Sequence, residues 1–132
     1  MNRDIEFRGK IRDDTGKNDG KWVFGYFYYD QAEDCGFHCH IWSKEGSFSD
    51  YVHEETVGEF TGLLDKNGVK IFEGDILHFK GIVNCLVAFV DGQFVIYNIR
   101  PFTALKIKMQ DYGECEVIGN IHDNPELLEG TK

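Results

Sequence analysis

Proline is almost missing from this chain, with two residues among 132, while glycine is abundant at 15. Turns must therefore be built chiefly on glycine, the residue that takes positive φ without steric cost. No run of about 18 apolar residues occurs, which excludes a conventional helical membrane span. The opening Met1-Asn2-Arg3-Asp4-Ile5-Glu6 lacks the apolar stretch of a signal peptide, so a cytoplasmic location is expected. An excess of positive charge is also lacking. Residues 1–58 carry 7 basic and 12 acidic side chains, residues 59–132 carry 7 and 11, and the net charge is −9. Nucleic-acid affinity comes largely from Lys and Arg neutralising phosphates, so this balance argues against a general DNA or RNA binder. No Gly-x-Ser-x-Gly elbow and no phosphate-binding loop is present. The four cysteines, with no secretory signal, are expected to be reduced, Cys85 as a small buried hydrophobe.

What the chain does have is aromatic residues, 14% of the total and 11 of them Phe, in short runs that suit half-buried strands. Strands are expected at residues 3–12, 21–29, 36–42, 48–53, 60–64, 69–72, 76–79, 82–90, 93–97 and 114–121. Residues 103–109 read as strand or short helix, and Asn124-Pro125 as the cap and first residue of one helical turn. Between the first two strands, Asp13-Asp14-Thr15-Gly16-Lys17-Asn18-Asp19-Gly20 is turn chemistry throughout and is expected to be a mobile surface loop. Short strands about ten residues apart, joined by glycine turns, are the pattern of a sandwich or small barrel.

The hub is Phe60 to Leu77. Its Asn67-Gly68 dipeptide predicts a type I′ hairpin turn, and Glu73-Gly74-Asp75 breaks the chain again before a second β unit. Asp91-Gly92 predicts another tight hairpin. An N-terminal β subdomain over 1–58 and a C-terminal one over 59–132 follow from this division.

Three constellations carry possible chemistry. Cys35-Gly36-Phe37-His38-Cys39-His40 is a cluster of soft ligands, with His38 and His40 on one strand face and Cys39 on the other. A tetrahedral zinc site would need a further ligand such as His53 or Cys115, and the spacing matches no common zinc motif. His38, Cys39 and His40 are thus the candidates for a metal-binding or hydrolytic alternative; the preferred reading has no cofactor and no catalytic residue. Asp65, Glu73 and Asp75 resemble half a calcium loop, but in a hairpin such carboxylates usually serve turns. Trp22, Phe24, Tyr26 and Tyr28 alternate with Val23, Phe27 and Tyr29 along one strand. Both faces are apolar enough to be covered, so these rings are expected to fill a core between sheets. Any left exposed would mark an interface, with Trp22, Tyr26, Tyr28 and Tyr29 as its candidates.

Several blocks of this chain together resemble one known family. They are Ile5-Glu6-Phe7-Arg8-Gly9-Lys10, Trp22-Val23-Phe24-Gly25-Tyr26, Phe60-Thr61-Gly62-Leu63, Asp65-Lys66-Asn67-Gly68, Ile71-Phe72-Glu73-Gly74-Asp75-Ile76, and Val117 through Leu128. In this order, over nearly the whole chain, they look like the YopX family. The resemblance implies a mostly β protein of bacteriophages and prophages with an SH3-like barrel in its C-terminal part. It implies no activity and no catalytic residue. The expectation is an acidic protein in the bacterial cytoplasm that binds a host or phage protein or assembles with itself. A third possibility is an acidic decoy for a nucleic-acid-binding protein.

Overall fold

Alternation of apolar and polar residues, broken by glycine turns, produces an all-antiparallel β protein. The computed structural model describes residues 5–32, 36–43, 49–79, 84–99, 103–105 and 114–129. Among the described residues eleven strands are placed, and the helical turns are short 3-10 segments at Glu54–Thr56 and Pro125–Glu129. No helix among them is long and apolar enough to cross a membrane. The chain divides into two compact units, Met1–Phe60 and Thr61–Lys132.

One sheet takes its strands in the order β4-β3-β2-β1-β5-β6. These are β1 (Phe7–Lys10), β2 (Trp22–Ala32), β3 (Gly36–Ser43), β4 (Ser49–Tyr51), β5 (Gly58–Leu64) and β6 (Lys70–Phe72). Within the first unit β2 pairs with β1 and with β3, in registers that set Gly25 opposite both Phe7 and Ser43. Phe7, Val23 and Phe27 pack against the buried Cys39, Ile41 and Val52, with Val57 beside them, as the core of this unit. The 13–20 loop lies at the surface, as expected, and is bridged by its own polar groups. Asp13 Oδ1 accepts from the Thr15 N–H, its Oδ2 accepts from the Asn18 N–H, and the Asp13 N–H donates to Asp19 Oδ1.

The second sheet has the order β10-β9-β8-β7-β11, from β7 (Asp75–Phe79), β8 (Cys85–Val90), β9 (Gln93–Asn98), β10 (Thr103–Leu105) and β11 (Cys115–Asn120). Among the described residues these five strands form one antiparallel sheet that does not close into a barrel. Leu77, Phe79, Cys85, Val87, Ile96 and Cys115 form its core with Ile71 of β6. Cys85 is fully buried, as its apolar strand predicts.

The two glycine hairpins come out differently. At Asp91-Gly92 both residues have positive φ, 52° and 82°, as a type I′ turn requires. At Asn67-Gly68 only the glycine does, at 82°, so the type I′ expectation is corrected. The cause is Asp65. Its Oδ1 accepts hydrogen bonds from the N–H groups of Asn67 and Val69, while the Gly68 N–H donates to the Asp65 carbonyl. This holds Asn67 in an ordinary turn conformation. At the C-terminal turn Pro125 is the first residue, as expected, and Asn124 stands in the cap position with its carbonyl accepting from the Leu127 N–H, while its side-chain oxygen is turned back to accept from the Asn120 N–H.

Candidate functional site

Strand pairing turns the alternation of β2 into two unlike faces. Val23 and Phe27 point into the core, so Trp22, Phe24, Tyr26 and Tyr28 share the opposite face, about 7 Å apart along the strand. Register extends this face sideways. Trp42 stands opposite Tyr26, His40 opposite Tyr28, and Tyr51 of β4 opposite His40. Phe24, Tyr26, Tyr28, Trp42 and Tyr51 are each 37–53% exposed. The expectation that the β2 rings fill a core between sheets is therefore corrected for this face.

The face is prearranged by ring contacts. The buried His40 ring stacks on Tyr28 at 4.7 Å with 6° between planes, and Tyr51 tilts onto it at 4.5 Å. At the other end the Arg8 guanidinium lies 4.6 Å and the Lys10 ammonium 5.4 Å from the centre of the half-buried Trp22 ring. Such cation–π contacts hold an aromatic ring and a cation in fixed positions for about 0.5–1 kcal/mol each. Trp22, Tyr26 and Tyr28 of the sequence candidates thus share one surface. Phe24, Trp42 and Tyr51 join it, and sequence reading missed the last two because only the pairing of β3 and β4 brings them beside β2.

Tyr29 is on the other side. Its ring packs edge-on against Phe27 at 5.0 Å, and its hydroxyl donates to Glu54 Oε2 at 2.7 Å. That hydrogen bond to a carboxylate pushes the Tyr29 pKa up to about 12.

The soft-ligand cluster is divided by the same alternation. Cys39 lies in the core and His40 in the aromatic stack, on opposite faces of β3. Cys35 and the side chain of His38 lie outside the described residues. Burial, with the nearby Glu54 charge, pushes the Cys39 thiol up, which keeps it protonated and a poor nucleophile or metal ligand at neutral pH. Among the described residues no three His, Cys, Asp or Glu side chains gather to hold a metal. The half calcium loop is likewise occupied by its own backbone. Asp65 serves the Asn67, Val69 and Val117 N–H groups, and Asp75 Oδ2 accepts from the Phe72 N–H at 2.7 Å.

At the β4 end of this unit is a cavity of about 200 Å³ lined by Cys39 and Val52 and by the 51–55 segment, including Glu54 and Glu55. Arg12 and His53 complete its rim. His53 Nε2 is 2.9 Å from Asp19 Oδ1, and Arg12 Nε is 3.9 Å from Asp14 Oδ1. Both basic rim groups therefore already face carboxylates.

Comparison with known proteins gives a family and a similar solved structure. A family model described as YopX protein matches residues 9–129. A solved structure, the crystal structure of protein EF1440 from Enterococcus faecalis, is similar with a TM-score of 0.52 and 26% identity, over 96% of this chain and 99% of that one. No curated protein matches.

Proposed function

The chain belongs to the YopX family, and from that premise we propose a non-catalytic protein-binding module whose contact surface is the aromatic face of β2, β3 and β4. The observation that carries this reading is the gathering of Phe24, Tyr26, Tyr28, Trp42 and Tyr51, all exposed, on one side of one sheet. Tyr, Trp and Arg are the residues that dominate binding energy at protein interfaces, because they offer large contact area at low entropic cost. Singly exposed apolar residues need no explanation; a contiguous patch of rings does.

The partner is a host or phage protein met in the bacterial cytoplasm, following the phage and prophage setting that the family resemblance implies. In this reading the open sheet of the C-terminal unit is the family's SH3-like part, supported by its short strands and the Asp91-Gly92 hairpin.

Capture from a bacterial lysate with the intact protein, beside a Tyr26→Ser/Trp42→Ser variant, tests the surface. Both side chains are exposed, so the variant keeps its fold. Loss of two central rings is expected to weaken a specific partner's binding by about 30-fold. Capture should survive high salt, because aromatic burial is screened far less than surface charge pairing. A partner retained equally by the variant, or released by salt alone, would sink the proposal.

A second copy of the chain is the other occupant to weigh. The second sheet ends in the three-residue strand β10, while the first is bridged at β4 by Ile11 and Arg12; sheet edges are often covered by joining subunits. Light scattering is expected to give a multiple of the chain mass that falls to the monomer in the Tyr26→Ser/Trp42→Ser variant. A monomeric wild type throughout the micromolar range would rule self-assembly out.

A further inference from the structure

The 51–56 segment is fixed to the end of β1 by bonds that do not involve the His53 ring. Val52 bridges to Ile11, the Arg12 N–H donates to the Tyr51 carbonyl, and the His53 N–H donates to the Lys10 carbonyl at 2.9 Å. The His53 carbonyl accepts from the Thr56 N–H at 3.0 Å and from the Thr56 hydroxyl at 2.6 Å, and Thr56 Oγ1 accepts from the Lys10 N–H at 2.9 Å. Val52 and Thr56 are buried on either side of it. The imidazole is therefore presented from a rigid piece of backbone.

The 13–20 loop meets that ring through one side chain. His53 Nε2 lies 2.9 Å from Asp19 Oδ1, the same oxygen that accepts from the Asp13 N–H at 2.9 Å. The other ring nitrogen, Nδ1, lies 4.0 Å from Glu55 Oε2. One imidazole thus stands between a carboxylate of the loop and a carboxylate of its own 3-10 turn. Protonated, an imidazole donates from both nitrogens and attracts both carboxylates; neutral, it donates from one nitrogen and has no charge. Histidine is the residue type that makes this change between about pH 5 and about pH 8.

The remaining charged and titratable groups around the ring leave that difference intact. Arg12, a like charge, faces Asp14 at 3.9 Å, and Glu54 accepts the Tyr29 hydroxyl. Cys39, beneath them, is kept protonated by its burial and by the Glu54 charge. Asp13 spends both its oxygens within the loop. The Asp13 N–H, followed by the His53 ring, holds Asp19 below the ordinary carboxylate value, so the loop's half of the pair stays charged throughout the histidine range.

We propose that His53 is a pH-dependent fastener of the 13–20 loop: its protonation ties the loop, through Asp19, to the fixed 51–56 segment, and its deprotonation loosens the loop while the sheet stays intact. Fastening is strongest at mildly acid pH and weakens as pH rises through the histidine range. It is lost again where Asp19 itself takes a proton, below the ordinary carboxylate range. The bonds between β1 and the 51–56 segment contain no titrating group, so the response is confined to the loop. This goes beyond the binding role of the aromatic face and does not depend on it.

The test follows backbone amide exchange and the His53 ring Cε1–H by NMR, on the whole protein, from about pH 5 to about pH 8. After correction for the intrinsic pH dependence of exchange, the Asp13 and Asn18 amides are expected to lose about threefold in protection as pH rises, with the midpoint of the ring signal. The Val52 and His53 amides, bonded to backbone carbonyls, are expected to keep theirs. In His53→Gln, whose side chain can donate to Asp19 but cannot be charged, the loop should stay at its high-pH protection throughout. Asp19→Asn, which leaves His53 in place and removes the loop's charge, should flatten the response as well. A response that persists in either variant, loop amides whose midpoint differs from that of the ring, protection that rises with pH, or a wild-type loop indifferent to pH would each overturn the assignment. Partner capture plays no part in these readings, so this proposal and the aromatic-face proposal fail separately.

Discussion

Gly25→Ala is expected to destabilise the N-terminal unit by about 4 kcal/mol, enough to populate its unfolded state under native conditions. Gly25 is central to β2, paired to Phe7 on one side and Ser43 on the other. A Cβ built there overlaps the carbonyl oxygen of Trp42 and comes within 2.8 Å of its carbonyl carbon. Those atoms are backbone, so no rotamer change relieves the clash. The β2 and β3 strands must separate, and the Tyr26–Trp42 and Tyr28–His40 pairs on the aromatic face separate with them. Gly9→Ala supplies the contrast. Its added Cβ would sit 3.2 Å from Val52 Cβ, a side-chain contact that a small shift absorbs, so about 1 kcal/mol is expected. Urea unfolding followed by tryptophan fluorescence reads both variants, because the two tryptophans, Trp22 and Trp42, belong to this unit. A Gly25→Ala midpoint matching that of wild type would show that the β2–β3 spacing is not the constraint described.

Asp65→Asn is expected to remove about 3 kcal/mol from the C-terminal unit, leaving the tryptophan-detected transition in place. The Asp65 carboxylate is buried and accepts from three backbone N–H groups: Asn67 at 2.8 Å and Val69 at 2.9 Å on Oδ1, Val117 at 3.0 Å on Oδ2. The neighbouring Lys66 N–H donates to the Cys115 carbonyl at 2.9 Å, so the hub turn is fastened to the outer edge of β11 at two adjacent points. An asparagine can present an oxygen to one side of this arrangement only. Its amide N–H then faces another N–H, leaving a buried donor unsatisfied. Circular dichroism should show the loss as an early transition at lower urea.

The pH dependence of the same group has a definite sign. Burial by itself would raise the Asp65 pKa, but the N–H groups of Val117, Val69 and Asn67 together hold it below the ordinary carboxylate value. A carboxylate depressed in the folded state stabilises the fold above its unfolded pKa, and this is lost as pH falls through that value toward the lower folded one. Wild type should therefore lose stability through the ordinary carboxylate range and below it. Asp65→Asn should show a flatter acid limb, and an unchanged limb would remove Asp65 as its source.

The positions of most strands and the Asp91-Gly92 turn could be read from local chemistry, because alternation and positive-φ tolerance are properties of neighbouring residues. Cys39 and His40 were separable for the same reason, since strand parity alone sends them to opposite faces. The hub turn was not legible from its dipeptide. Its conformation follows from a carboxylate that also serves Val117, 52 residues away. Nor could β2 declare which of its faces is wet, as both carry apolar rings. That was settled by which side Cys39, Ile41, Val52 and Val57 come to cover, a matter of strand register and packing. Trp42 and Tyr51 entered the site through cross-strand pairing, and the cavity exists only where the 54–56 turn meets β3 and β4. The sequence by itself determined most of the β elements, the Asp91-Gly92 turn and the family. The tertiary structure alone decided the exposed face and the cavity lined by Glu54 and Glu55, because both depend on contacts between segments that no local pattern encodes.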